Sequence, residues 1–297
     1  MRADNRLPSW FKVRVHSGEN YTRVKGLLSS HGLNTVCREA RCPNIWECWN
    51  CGTATFMILG SRCTRNCRFC GVLPAGSLSA PDAAEPEKIA DSVERLGLCW
   101  AVLTSVTRDD LPDYGASQFA RCVKMIHSRM PDCGVELLIP DLKGDRRALD
   151  VVAASGARVL AHNVETVPRL YPQVRPEADY RLSLSVLEYL SGRSNGAFRV
   201  KSSVIVGLGE SLDEIGSVLD DLARAGCSAV TLGQYLPPSK KHYPVSKYYT
   251  PAEFEQMACM ARSAGIEQVA SGPLVRSSYQ AHKLAGCRLH AKSTGAG

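Results

Sequence analysis

The sequence predicts an α/β protein, a partial (β/α)6 TIM-like barrel with N-terminal and C-terminal extensions. Two observations support this prediction. Short β-branched or apolar runs alternate with longer stretches of helical period from about residue 55 to residue 272, and six such units can be counted. Six units are too many for a minimal nucleotide-binding half and fewer than the eight of a closed barrel. A doubly wound sheet is the alternative architecture.

The predicted elements follow from these patterns in chain order. The six strands are Thr55–Leu59, Ala101–Val106, Val135–Ile139, Arg158–Ala161, Arg199–Val206 and Ala229–Leu232. The helices show apolar residues at spacings of three and four. Those residues are Ile89, Val93 and Leu96; Phe119, Val123, Ile126 and Met130; Leu182, Val186, Leu187 and Leu190; and Ile215, Val218, Leu219 and Leu222. The last helix is expected over 211–225, closed by Gly226 in the C-cap position.

The flanks differ from this middle region, which divides the chain into three parts. Residues 1–52 hold a helical stretch near 21–29 and a cysteine-rich loop, residues 53–271 form the barrel, and residues 272–297 hold a compact motif and a tail expected to fray. In either architecture the loops after the carboxyl ends of the strands are expected to hold the functional residues.

Composition excludes several classes of protein. The chain has 297 residues, is 44% apolar and has a formal net charge of +7, so it is neither a disordered tail nor a small disulfide-stapled scaffold. The basic excess is scattered, so we expect no nucleic-acid partner. No secretory h-region and no long apolar run is visible, so we expect a cytoplasmic protein without a membrane anchor.

The cysteines are clustered: seven of the thirteen fall within 34 residues. Cys63, Cys67 and Cys70 follow the first strand with three and then two residues between them. Three thiolates on one such loop can hold a 4Fe-4S cluster and leave its fourth iron open to a small molecule. Tetrahedral zinc is the alternative, although a structural zinc site usually has four protein ligands. The six isolated cysteines are expected to be filler in the core or on the surface.

A second triad, Cys37, Cys42 and Cys48, lies upstream with four and five residues between its members. The two triads together resemble the lipoyl synthase family of the radical S-adenosylmethionine (SAM) superfamily. Five further segments are similar in order, namely residues 102–113, 162–167, 206–210, 231–239 and 272–279.

The resemblance implies a function for each triad. Cys63, Cys67 and Cys70 would hold the cluster that binds and reductively cleaves SAM. Cys37, Cys42 and Cys48 would hold an auxiliary 4Fe-4S cluster, with Ser278 as its fourth ligand. That cluster would donate two sulfur atoms to the sixth and eighth carbons of a protein-bound octanoyl-lysine. Cys51 is expected to be a bystander.

Other polar residues have competing interpretations. Asn163 and Glu165 end the fourth strand, and the resemblance implies contact with SAM; the alternative is that Glu165 pairs with a nearby arginine. For Lys201, the resemblance implies a position near the cofactor or the substrate carboxylate. The alternative is a solvated lysine at the edge of the sheet. His162 is expected in a satisfied core network. The charged residues 108–110 are expected to organise a loop or to contact SAM. The basic residues 240–242 are expected to form a solvated face, and the alternative is contact with an acidic carrier domain.

The resemblance also implies partners: an octanoylated lipoyl carrier domain, such as a glycine cleavage H protein or a 2-oxoacid dehydrogenase E2 type, a ferredoxin or flavodoxin reductant, and a cluster-repair protein. Another radical SAM sulfur-inserting enzyme is the nearest alternative. A two-cluster electron-transfer protein is an alternative from a different class. The sequence also departs from the family pattern, because Tyr114 and Ser203 stand where glycines are common.

Overall fold

The structure is a computed structural model that describes residues 7–12, 18–39, 42–50, 54–279 and 281–284. Its strands are β1 (Asn34–Thr35), β2 (Thr55–Ile58), β3 (Arg62–Cys63), β4 (Leu73–Pro74), β5 (Trp100–Ser105), β6 (Gly134–Leu138), β7 (Val159–Ala161), β8 (Arg199–Val206), β9 (Ala229–Gln234) and β10 (Gln268–Gly272). Its helices are α1 (Glu19–Ser30), α2 (Val36–Glu39), α3 (Ile45–Asn50), α4 (Glu85–Leu96), α5 (Ala116–Arg129), α6 (Arg146–Ala153), α7 (Tyr171–Val174), α8 (Tyr180–Ser194), α9 (Leu212–Arg224), α10 (Pro251–Ser263) and α11 (Ala281–Leu284).

One sheet of eight strands forms the barrel wall, in the order β1-β2-β5-β6-β7-β8-β9-β10. β1 is antiparallel to β2, and every other neighbouring pair in this sheet is parallel. From β2 to β10 the spatial order follows the chain order, whereas a doubly wound sheet reverses direction at a switch point. The partial barrel is therefore confirmed and the doubly wound alternative is wrong. Within the described ranges, no pairing joins β1 to β10, so the barrel is open there.

The six predicted strands correspond to β2, β5, β6, β7, β8 and β9, each within two residues at either end. The count of six is one too low, because β10 adds a seventh parallel strand beside β9. Its sequence, Gln-Val-Ala-Ser-Gly, is short of β-branched and large apolar residues, and each of its residues is only half-buried. The strand forms because β9 offers a free edge for backbone hydrogen bonds, which sequence pattern does not show.

The helices pack outside the sheet with the apolar faces that their spacing predicts. The α9 helix begins after Ser211, whose side chain accepts from the backbone N–H of Glu214 in a capping box. Its C-cap is Ala225, so the prediction of Gly226 at that position is wrong by one residue; Gly226 follows the cap with a φ of 79°. Thr250 and Glu253 form a second capping box at the start of α10, which the sequence reading did not identify.

In the N-terminal extension, α1 packs against α3 and contacts α4 of the barrel. The ring of Tyr21 stacks on Trp46 with centroids 4.5 Å apart and lies 5.2 Å from that of Trp49. The guanidinium of Arg23 donates to the carbonyl oxygen of Leu96 at the end of α4. The predicted boundary at residue 52 and the predicted frayed tail lie outside the described residues. No helix in the described part of the chain is long and apolar enough to span a bilayer.

Candidate functional site

The loop after β2 places three cysteines at the carboxyl end of the barrel. β3 and β4 pair at the base of this loop, and the N–H of Ala75 donates to the carbonyl oxygen of Cys63 at 2.7 Å. Cys67 and Cys70 stand between these two short strands, and the N–H of Cys70 donates to the carbonyl oxygen of Cys67. Burial raises the pKa of the Cys70 thiol to about 12 and also raises that of Cys67.

Asn163 and Glu165 lie together just after β7, as the sequence predicts. The Asn163 amide donates to a carboxylate oxygen of Glu165 at 3.0 Å, while its own Oδ1 is buried and has no hydrogen-bond partner in the described residues. Glu165 has a φ of 65°, in the left-handed region, and such strain is typical of functional positions. Burial raises the pKa of the Glu165 carboxyl, and the charge of Arg175 opposes that rise.

Arg175 is a residue of this site that the sequence reading missed. Its guanidinium donates to the carbonyl oxygens of Asn163 and Val164 at 3.1 and 3.0 Å. Its charge acts on both Cys67 and Glu165, lowering the pKa of each against the effect of burial. A single arginine fourteen residues beyond the end of β7 has no motif around it, so no local signal could have identified it.

Lys201 is buried inside the barrel on β8. Its ammonium group donates to Oε1 of Glu136 at 2.7 Å, and the two side chains are 1% and 2% exposed. The solvated-edge alternative for Lys201 is therefore wrong. Oε2 of Glu136 has no partner in the described residues. This oxygen can therefore accept a further hydrogen bond in the barrel interior.

His162 and the charged residues 108–110 form hydrogen bonds that hold neighbouring segments of the barrel together. The ring nitrogens of His162 lie 3.0 Å from the carbonyl oxygen of Ile139 and 3.1 Å from the hydroxyl of Ser183. This confirms the satisfied core network. Arg108 forms two hydrogen bonds with the Asp110 carboxylate and donates to the carbonyl oxygens of residues 59 and 79. Arg108 and Asp110 therefore organise the loop, as one of the two interpretations predicts.

The basic residues 240–242 and Tyr114 can be compared with what the sequence predicts for them. Lys240 and Lys241 are exposed, but His242 is only half-exposed and its Nε2 lies 3.0 Å from the carbonyl oxygen of Cys70. The solvated-face prediction thus holds for the lysines and is wrong for the histidine, which contacts the cysteine loop. Tyr114 has a φ of 55°, a conformation that a glycine takes without steric cost.

The second cysteine triad meets the C-terminal motif in a cavity of about 200 Å³. Cys37, Cys42, Cys48 and Ser278 all line it. Three contacts join the two chain ends to each other or to the barrel. The hydroxyl of Thr55 donates to that of Ser278 at 2.9 Å, the Asn44 amide to the carbonyl oxygen of Leu274 at 2.7 Å, and the Tyr279 hydroxyl to Glu47 at 2.9 Å.

Burial and one nearby cation set the protonation of the thiols that line this cavity. Burial raises the pKa of Cys37 to about 11 and also raises that of Cys42. The guanidinium of Arg276 opposes the rise at Cys42. Buried thiols of this kind become thiolates when iron binds them, because the metal charge offsets the cost of desolvation. Three thiols and one hydroxyl fit a cluster with one weakly held oxygen ligand.

The structure shows where five of the six isolated cysteines lie and also bears on the zinc alternative. Cys122, Cys133 and Cys227 are buried in the core and Cys99 and Cys259 are exposed. These five lie in the core or on the surface, as predicted, and their role as filler stays a prediction. Cys51 and Cys287 lie outside the described residues. In the ranges that the structure describes, no three His, Cys, Asp or Glu side chains form a group that could hold one metal ion.

Comparison with known proteins identifies the family of the chain. The radical SAM superfamily profile matches residues 57–222, and that of the N-terminal domain of lipoyl synthase matches residues 2–42. A lipoyl synthase of Pelodictyon phaeoclathratiforme is 50% identical over 277 residues, which cover 93% of this chain and 94% of that protein. A lipoyl synthase of Methylococcus capsulatus is 51% identical over 281 residues, which cover 94% and 87%.

Solved structures share the fold at low sequence identity. Methylornithine synthase (PylB) superposes with a TM-score of 0.53 at 14% identity, covering 87% of this chain and 83% of that one. The FeFe-hydrogenase maturase HydG from Carboxydothermus hydrogenoformans has a TM-score of 0.58 at 16% identity, covering 72% and 52%. These two likenesses concern the fold alone. From the full-length relatives and the profiles, the chain belongs to the lipoyl synthase family of the radical SAM superfamily.

Proposed function

We propose that this chain inserts two sulfur atoms into a protein-bound octanoyl chain, at its sixth and eighth carbons. The observation that supports this most is the cavity in which Cys37, Cys42 and Cys48 meet Ser278. A radical SAM enzyme that only cleaves SAM needs the loop of Cys63, Cys67 and Cys70 and has no use for a second donor set. A second set with one oxygen donor is what a sulfur-supplying cluster requires, because the oxygen ligand can leave readily.

The residues that would hold each group follow from the two donor sets. Cys63, Cys67 and Cys70 would bind one 4Fe-4S cluster with an open iron for SAM, and the other three cysteines with Ser278 would bind the auxiliary cluster. When bound, these groups supply an electron, a carbon radical strong enough to take hydrogen from an unactivated C–H bond, and sulfur. Acid-base catalysis cannot break such a bond at neutral pH, so the protein contributes binding and positioning.

Several side chains at the barrel mouth suit the positioning of SAM. The Glu165 carboxylate and the unpaired Oδ1 of Asn163 can accept hydrogen bonds from ribose hydroxyls. Arg175 holds the backbone of this segment through two carbonyl oxygens. For Lys201, contact with the cofactor or substrate stays a prediction, since its ammonium already bonds to Glu136.

The substrate and partners follow from the chemistry proposed here. The substrate is an octanoyl group on a lysine of a lipoyl carrier domain, of the glycine cleavage H protein or 2-oxoacid dehydrogenase E2 type. One-electron reduction requires a low-potential donor such as a ferredoxin or flavodoxin. Loss of sulfur from the auxiliary cluster in each turnover requires a protein that rebuilds it.

One experiment tests the whole proposal. The protein is reconstituted anaerobically with iron and sulfide, reduced, and mixed with SAM and an octanoyl-lysyl peptide. Mass spectrometry is expected to show the gain of two sulfur atoms on the octanoyl chain, with methionine and 5′-deoxyadenosine released. Deoxyadenosine without sulfur on the peptide would retain the radical SAM chemistry and reject the sulfur-insertion function. No deoxyadenosine at all would reject both.

A further inference from the structure

One arginine inside the cysteine loop has an unusually complete set of ion-pair contacts. The side chain of Arg65 is 5% exposed and lies between two aspartates. Its Nε and Nη2 donate to the carboxylate of Asp109 at 2.8 and 3.0 Å, and its Nη1 and Nη2 donate to that of Asp141 at 2.5 and 2.7 Å. Two bidentate pairs use the planar guanidinium in a way that an ammonium group cannot reproduce.

The two aspartates belong to the ends of neighbouring strands. Asp109 lies four residues after the end of β5, and Asp141 lies three residues after the end of β6. Asp141 is held in turn by the N–H of Lys143, which donates to its carboxylate at 3.0 Å. Because β5 and β6 are parallel and adjacent, Arg65 ties the cysteine loop to a rigid edge of the barrel.

The preceding residue of the loop, Thr64, adds to this connection. Its N–H and its hydroxyl both donate to the carbonyl oxygen of Thr107 at 3.0 Å, and its Oγ1 accepts from the N–H of Asp109 at 3.1 Å. With the loop held in this position, two backbone N–H groups donate hydrogen bonds to the sulfur of Cys63. They are the N–H of Arg65 at 3.4 Å and that of Thr107 at 3.3 Å.

We propose that Arg65 is a positioning residue that raises the reduction potential of the cluster bound by Cys63, Cys67 and Cys70. It acts by holding the loop where two N–H groups donate to the Cys63 sulfur. Reduction adds negative charge to the cluster and its sulfur ligands, and N–H donors stabilise that charge. This inference rests on the proposed function, because it assumes that these cysteines hold a redox-active cluster.

The charge of Arg65 could also change the potential, and the design of the variants separates the two effects. Arg65→Lys keeps the positive charge and loses the two bidentate pairs, so it tests position. Arg65→Ala removes both and leaves two carboxylates without their cation. Arg68 lies on the same loop with an exposed side chain, so Arg68→Lys and Arg68→Ala are the matched controls for side chain and charge.

The experiment is a potentiometric titration of the reconstituted holoenzyme, followed by electron paramagnetic resonance. The relevant cluster is recognised because its signal changes when SAM is added, which requires an open iron. We expect Arg65→Lys to lower the midpoint potential at full iron content, by an amount equivalent to about a tenfold change in the reduction equilibrium, roughly 59 mV for one electron. Arg68→Lys is expected to titrate like the wild type.

The outcomes distinguish this inference from the function on which it rests. Equal potentials in Arg65→Lys and wild type, with equal iron, overturn the inference and leave the proposed function intact. A wild-type protein without any SAM-responsive signal overturns both. If the Arg65 variants do not retain iron, Thr64→Val decides, because it removes only the hydroxyl contacts. A lower potential in Thr64→Val supports the inference, and an unchanged potential rejects it.

Discussion

The hydroxyl of Thr55 donates a hydrogen bond of 2.9 Å to the hydroxyl of Ser278, across 223 positions of sequence. Thr55 is the first residue of β2, in the wall of the barrel, and Ser278 belongs to the C-terminal motif. The bond places the serine oxygen in the cavity that Cys37, Cys42 and Cys48 line. The auxiliary site is therefore assembled from the N-terminal extension, the barrel and the C-terminal segment together.

Replacement of Ser278 should separate SAM cleavage from sulfur insertion. Ser278→Ala removes the proposed hydroxyl ligand, so lipoyl formation is expected to fall by more than about tenfold, within the range of losses seen when a metal-site group is removed. Production of 5′-deoxyadenosine should continue, because the loop of Cys63, Cys67 and Cys70 is unchanged. Chromatography and mass spectrometry measure the two products. Ser277→Ala is the matched control, and a normal lipoyl yield from Ser278→Ala would contradict the ligand assignment.

Substitutions in the two cysteine triads should impair different steps of the reaction. Cys67→Ala is expected to abolish SAM cleavage, whereas Cys42→Ala is expected to retain cleavage and lose sulfur transfer, because each would remove a proposed ligand of only one cluster. Deoxyadenosine and thiolated peptide are measured for both variants. Cys259→Ala, at an exposed position, controls for the loss of a thiol. Normal deoxyadenosine from Cys67→Ala would refute the assignment of the first cluster.

Gly233 on β9 leaves room for the C-terminal segment. A β-carbon at this position would lie 2.0 Å from the carbonyl oxygen of Val275, which is much closer than atoms can approach. Gly233→Ala is therefore expected to displace Val275 and, with it, Ser278. We expect reconstituted iron to fall by as much as about half, since one of two 4Fe-4S sites is affected.

The control for this prediction is a glycine whose β-carbon meets nothing. Gly192 on α8 has no heavy atom within 4 Å of an added β-carbon, so Gly192→Ala should keep its iron and gain about 0.5–1 kcal/mol of stability. Iron analysis and denaturant unfolding measure both quantities. Full iron content and normal lipoyl formation in Gly233→Ala would show that the close contact with Val275 does not matter.

Lys201 and Glu136 form a buried ion pair. The loss of stability caused by substituting one of them should therefore depend on whether the other is substituted too. Lys201→Met leaves the Glu136 carboxylate buried without its cation, and the free energy of unfolding should fall by about 3–5 kcal/mol. Adding Glu136→Leu should restore much of that loss, because both charges are then absent. Denaturant unfolding of the single and double variants tests this.

The same double variant tests whether Lys201 also contacts the cofactor or substrate. A stable double variant that produces deoxyadenosine and thiolated peptide at the wild-type rate would assign Lys201 a structural role alone. A stable double variant with a raised KM for SAM or for the peptide would support the contact. Arg193→Met, at an exposed ion pair with Asp150, serves as the control for removing a cation from the surface.

The strands and helices that the sequence predicts correctly are those with a strong local pattern. β8, with its run of β-branched residues, matches the prediction at both ends, and α9 has a serine cap and a following glycine. β10 was missed because it has few β-branched or large apolar residues, and a strand of that kind forms only beside an existing edge. Arg175 was missed for a related reason, since its partners are backbone carbonyls of a segment 11 to 12 residues away.

Local patterns in the sequence were sufficient for the fold class and for the clustering of the cysteines, because residue type, period and spacing are properties of short segments. The cluster predicted for Cys37, Cys42 and Cys48 came from the resemblance to a family. The relationships among those segments depended on the folded chain. The approach of Ser278 to Thr55, the burial of Lys201 against Glu136, and the position of Arg65 between Asp109 and Asp141 all join residues that lie 44 to 223 positions apart. Contacts at such separations form only when packing of the sheet and helices brings strand ends together, which no local pattern encodes.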